Sequence, residues 1–201
     1  MKYIWHFLKQ MIVPLVYMIL LSITCLGITS INNDLLWLKY LLDAVVLVFF
    51  GIILGGVSFK DGEDACKILH ANDAERRRII ETGEDRPIDR LREYKPWKGF
   101  MIGLSACVPL IIMLIIHACR ISIDPTQTQT GALAGYIYMV TFSFFLPNLA
   151  VTVSAGYYFY TLIAIPVFAL MTGVPYILGY RKMEKQYEMI ARKHREIYGD
   201  K

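Results

Sequence analysis

Catalytic signatures are the first thing missing from this sequence. No G-x-x-x-x-G-K-[ST], G-x-S-x-G, H-E-x-x-H or dinucleotide-binding glycine pattern is present. No phosphate-cradling loop, nucleophile elbow or helical zinc-peptidase site is therefore indicated. Cysteine is scarce. The four residues, Cys25, Cys66, Cys107 and Cys119, include no C-x-x-C pair, which removes the usual basis for a dithiol redox site. His6, His70, His117 and His194 are scattered along the chain. His117-Ala118-Cys119 together with Cys25 would offer soft metal ligands, but their spacing matches no established signature. No metal or cofactor is expected.

Charge is the second absence, and it is local. Long stretches carry almost none, in a chain that is 56% hydrophobic. A bilayer core of ~30 Å needs about 20 apolar residues per helix. Four runs qualify, roughly 7–29, 35–59, 100–116 and 157–180. Backbone groups in lipid must be bonded internally, so each is expected to be helical. A fifth run, 133–146, is short: its 14 residues would reach only ~21 Å as a helix. An interfacial or re-entrant segment fits that length, and a tilted crossing helix over 132–153 is the alternative. Residues 1–29 read as a retained first span, because the apolar run is too long for a cleaved signal and no small-x-small site follows it.

Cations are missing from one side of these runs. Of 21 Lys and Arg, two lie in 1–10, ten in 60–99 and seven in 181–201, leaving only Lys39 and Arg120. The positive-inside rule then puts both termini and the central block in the cytoplasm of a plasma membrane, most simply a bacterial-type inner membrane. That parity requires an even number of spans. The expected architecture is an all-α integral membrane protein with four transmembrane helices. It comprises a first hairpin (1–59), a cytoplasmic connector (60–99), a second hairpin (100–180) that includes outer segment 123–156, and a basic tail (181–201). Val13-Pro14-Leu15 and Val108-Pro109-Leu110 match at a constant offset, which would relate the hairpins as parallel repeats.

The connector balances ten basic against ten acidic residues, which argues against a nucleic-acid surface. Asn72 followed by Glu75 resembles a capping box, predicting a helix from about 73 to 82 that stops at Gly83. Pro87 can start a second short helix, with Ile88 and Leu91 on one side and Pro96 ending it. Arg76, Arg77, Arg78, Arg90 and Arg92 are candidate docking cations. The tail, with seven basic and four acidic residues, reads as a helical extension within reach of anionic headgroups.

Within the apolar runs, Lys39 and Asp43 stand four residues apart, on one helix face. Intramembrane carboxylates are costly, so Asp43 is a functional candidate unless Lys39 simply pairs with it. Gly51 with Gly55, and Ala169 with Gly173, are small-x-x-x-small packing faces. Pro14, Pro109, Pro166 and Pro175 are kink or hinge candidates. Cys25 and Cys119, both near outer helix ends, could form a disulfide there. These features point to an accessory or assembling subunit whose partners are the bilayer and another membrane protein or a second copy of itself. A small oligomeric transporter or channel using Asp43 is the alternative, and a membrane-embedded enzyme without a known motif the third.

Topology can be read by labelling. In a cysteine-free background, an impermeant thiol reagent added to intact cells is expected to modify Thr126→Cys and not Arg77→Cys. Modification at position 77 would invert the orientation.

Overall fold

The computed structural model describes residues 2–29, 36–83, 87–90, 92–108, 111–112, 115, 119 and 164–199. Regular structure among them is helical, without a strand: α1 (Lys2–Thr29), α2 (Leu36–Thr82), α3 (Lys98–Ala106) and α4 (Ala164–Tyr198). The whole outer segment, 123–156, lies outside the described residues, as do Pro109, His117 and the side chains of Cys25, Lys39 and Asp43.

α2 is the longest element at 47 residues, a rod of about 70 Å. It runs through the boundary expected near residue 60, so the second apolar run and the helix expected over 73–82 are one element. Three features keep it continuous. No proline interrupts it. Its polar half carries i,i+3 ion pairs, Lys67–Asp64 at 2.8 Å, Arg76–Asp73 at 2.6 Å and Arg78–Glu75 at 3.6 Å, which favour helix modestly. Asn72 lies mid-helix and does not cap, because its amide is used across the fold, as described below. The stop at Gly83 forms as expected: its φ is +68° and its N–H donates to the Ile79 carbonyl at 2.9 Å. This is the left-handed glycine that closes many helices.

The second short helix expected from Pro87 does not form. The described residues of 87–97 are turns, a bend and irregular chain, because side chains of α2 and α4 capture this segment. Pro14 and Pro175 lie inside α1 and α4. Pro166 falls in the first described turn of α4, where a missing N–H costs nothing, so only one proline interrupts the described length of that helix. α4 continues through the tail to Tyr198, and Gly199 (φ +71°) follows it.

α2 and α4 pack side by side in the same direction. Successive contacts rise together along both: Gly51 with Met171, Gly55 with Pro175, Gly62 with Tyr176, Glu63 with Lys182 and His70 with Tyr187. α3 runs against α4, with Gly99 beside Tyr176 and Gly103 beside Phe168. α1 runs against α2, with Tyr17 edge-on to Phe50.

The approach is close because glycines face backbone. A Cβ on Gly62 would stand 2.0 Å from the Tyr176 carbonyl oxygen, and one on Gly179 would stand 2.0 Å from that of Phe59. Small residues at such crossings let helices exploit dispersion at short range, which matters most where no hydrophobic effect drives association. Phe168, Ala169, Thr172 and Tyr176 fill the junction from α4, Ile102 and Ala106 from α3, and Leu54 and Ala65 from α2. The buried Thr172 hydroxyl donates to the Gly99 carbonyl at 2.8 Å, tying α3 to α4.

The outer surface is inverted relative to a water-soluble bundle. Ile12, Val16, Ile19 and Ile23 of α1 are exposed at helical spacing, as are Leu41, Val45, Val48 and Ile52 of α2 and Leu170, Val174 and Leu178 of α4. Soluble monomers rarely leave apolar area of this extent open to water. The stretch Ala44–Thr82 is long and apolar enough to cross a membrane, and its apolar window is only 17% buried. No other described helix meets that measure; Leu8–Tyr17 is a shorter apolar helix.

Gly62→Ala and Gly179→Ala are each expected to destabilise the bundle by roughly 1–3 kcal/mol, the usual cost of overpacking. Gly56→Ala, which meets nothing within 4 Å, is expected to be neutral or slightly stabilising. Thermal unfolding in one detergent compares the three.

Candidate functional site

The polar half of the molecule begins where α1, α2 and α3 all leave the apolar surface. On α1 the boundary is Gln10, on α2 Lys60-Asp61, and on α3 Lys98. Two structures are built there, a pinned loop and a charged cavity.

The loop is held from α2. Asn72 is 6% exposed, and its amide nitrogen donates to the Asp89 carbonyl at 2.9 Å and to Glu93 Oε1 at 2.8 Å. Its amide oxygen accepts from the Asp89 N–H at 3.2 Å. Arg76 bridges Asp73 and Glu93. The same loop presents Tyr94 to α4, where it stacks on Tyr180 with ring centres 3.6 Å apart and on Tyr176 at 5.5 Å. Burial raises the pKa of the Tyr94 phenol. Lys182 of α4 reaches back to Glu63 at 2.8 Å. The loop is therefore a fixed strap across α2 and α4.

The cavity has a volume of about 460 Å³, within the ~300–1,000 Å³ range of small-molecule sites. Gln10, Asp61, Asp64, Lys67, Arg92 and Lys98 give it polar walls, with Ala65 and Ile68 between them. Asp61, Asp64, Ala65 and Ile68 share one α2 face by their spacing. Lys67 pairs with Asp64 at 2.8 Å and Arg92 lies 3.7 Å from Asp89. Asp61 has no hydrogen bond or ion pair among the described residues, and burial raises its pKa despite the opposing Lys98 charge. Lys98 is 8% exposed; burial lowers its pKa and Asp61 opposes that shift. Gln10 adds a buried amide oxygen with no hydrogen-bond partner among the described residues.

The sequence-derived candidates separate by position. Gly51 and Gly55 face α4, while Ala169 and Gly173 sit in the buried junction. Of the docking arginines, Arg76 is engaged in the strap, whereas Arg77, Arg78, Arg90 and Arg92 are exposed. Arg78 keeps a weak pair with Glu75 at 3.6 Å and 62% exposure, worth little in water. Cys119 is an exposed thiol and Cys66 and Cys107 are buried thiols, while the Cys25 side chain, the other half of the expected outer disulfide, lies outside the described residues. No group of three metal-ligating side chains occurs among the described residues. Asp61, Gln10 and Lys98 did not stand out in the sequence, where they look like ordinary boundary polar residues. Their only signal is that each lies at the polar edge of an apolar run.

Beyond Tyr187, every described residue of α4 is exposed through Gly199. Ile190 is 64% and Ile197 71% exposed. They continue a line that begins inside the packed region with Met183 and Tyr187, at successive spacings of four, three and seven residues.

No protein-family model, curated protein or solved structure matches this chain. The class defined by fold and surface is a helical bundle with an apolar, outward-facing belt and a polar end.

Asn72→Ala is expected to release the strap. Losing its hydrogen bonds should cost about 1–3 kcal/mol and open 87–97 to limited proteolysis that the native chain resists.

Proposed function

We propose that this chain is a multi-pass membrane protein of four spans, with both termini in the cytoplasm, acting as an accessory or assembling subunit. It docks through its polar end, made of the α2 extension, the 87–97 strap and the α4 tail. The observation that carries this reading is the tail. Residues 188–198 form three turns of helix with no cover from their own chain. The unpacked end of a longer helix frays in water, and packing against a partner would hold it. Its Ile190 and Ile197 lie in register with the seam that α4 already uses against α2, as a helix meeting a second helix requires.

Membrane placement draws support from the exposed apolar stripes on all of the longer helices. The four-span count draws support from helix direction. α2 and α4 run the same way, which an even number of crossings produces and a fifth crossing before α4 would reverse. The cation distribution supports a cytoplasmic polar end. Lys182, Lys185, Arg192, Lys193 and Arg195 on the tail would also favour anionic headgroups or an acidic partner surface.

Purification of the full chain in mild detergent is expected to yield either a homo-oligomer or a second, stoichiometric membrane protein. Ile190→Lys combined with Ile197→Lys should abolish that association and leave the melting temperature of the isolated chain unchanged. A native chain that runs strictly as a monomer with no companion overturns the docking role.

A further inference from the structure

The cavity at the polar boundary is unbalanced in a particular way. The Gln10 amide oxygen is buried without a donor among the described residues, and the half-buried Asp61 carboxylate makes no hydrogen bond there, although it faces the Lys98 charge. Besides Lys67, which is paired with Asp64, its cations are Arg92 on the opposing strap, 3.7 Å from Asp89, and Lys98 on α3. Unmet acceptors beside a basic wall call for a ligand carrying both an N–H-bearing cation and an anion. A half-buried carboxylate and a buried carbonyl oxygen both gain from a donor that replaces lost water. The anionic part would meet Lys98 and Arg92, whose guanidinium suits phosphate oxygens in a forked geometry. The location narrows the source. Exposed Ile12 lies two residues beyond Gln10, exposed Ile52 about two turns before Asp61, and exposed Met101 three residues beyond Lys98. A cavity at that level opens among headgroups, with acyl chains running down the apolar stripes.

We propose that the cavity between α1, α2, the strap and α3 binds the headgroup of an aminophospholipid, its primary ammonium held by Asp61 and Gln10 and its phosphodiester by Lys98 and Arg92. Phosphatidylethanolamine carries this chemistry. Phosphatidylcholine has the same charges but a quaternary ammonium without an N–H. Phosphatidylglycerol has the phosphate and no cation. The proposal rests on the membrane placement above and is independent of the docking role.

Native mass spectrometry of the full chain tests it. The chain is reconstituted with equimolar phosphatidylethanolamine, phosphatidylcholine and phosphatidylglycerol of identical acyl chains. Phosphatidylethanolamine is expected to be retained about tenfold over phosphatidylcholine, the scale of a charge-assisted hydrogen bond. Asp61→Asn should bring that ratio close to one, and Gln10→Leu, which leaves every charge in place, should lower it. Soluble glycerophosphoethanolamine at the same concentration should not displace the lipid. Equal retention of the three lipids overturns the proposal, as does a preference for phosphatidylglycerol or a ratio unmoved by both variants. Displacement by the soluble headgroup would assign the site to a free phosphoamine and overturn the lipid source. Lipid retention can be read on a monomer, so a failed docking role would leave this measurement intact. A failed membrane placement would show separately, as a chain soluble without detergent.

Discussion

The close parallel approach of α2 and α4 is the constraint on which the rest depends. Gly62 against the Tyr176 carbonyl and Gly179 against the Phe59 carbonyl leave no room for a side chain. This contact sets the depth at which α4 sits along α2, and that depth decides everything beyond it. It puts Lys182 opposite Glu63 and Tyr187 against His70. It also brings Tyr176 and Tyr180 to the level where Tyr94 can stack on them. A one-turn slip would move each of these partners by about 5.4 Å and separate them all.

The polar end is organised differently from the apolar end. In the apolar region contacts are non-directional, and small residues decide how near the helices come. At the polar end direction matters. Asn72 uses both ends of its amide on the strap, and Arg76 and Tyr94 fix the same segment from two other sides. The strap then supplies Arg92 to a cavity whose other walls come from α1, α2 and α3. Four separate stretches of chain thus converge on one small volume. A site built this way can respond to what occupies it, since a ligand touching all four would brace the end of the bundle from which the exposed tail projects.

Part of this architecture was legible in the chain itself. Long uncharged runs announced helices because lipid leaves the backbone no other partner. Gly83 announced a helix end, since a left-handed residue is needed there and glycine adopts it freely. The tail's helical character followed from its composition. The connector was misjudged for a physical reason. Asn72 and Glu75 form a local capping pattern, and Pro87 a local start, but local patterns compete with longer-range bonds. Asn72 satisfies three hydrogen bonds across the fold by staying inside a continuous helix, and the strap gains stacking and amide bonds by remaining irregular.

The sequence by itself determined the helical class and the division into apolar runs and charged blocks, because both follow from transfer energies that act residue by residue. Only the tertiary structure decided which glycines are indispensable, which arginine is consumed internally, and that Gln10, Asp61 and Lys98 share a cavity. Those properties depend on distances between residues far apart in the chain, and no local energy encodes them until α2 and α4 have met.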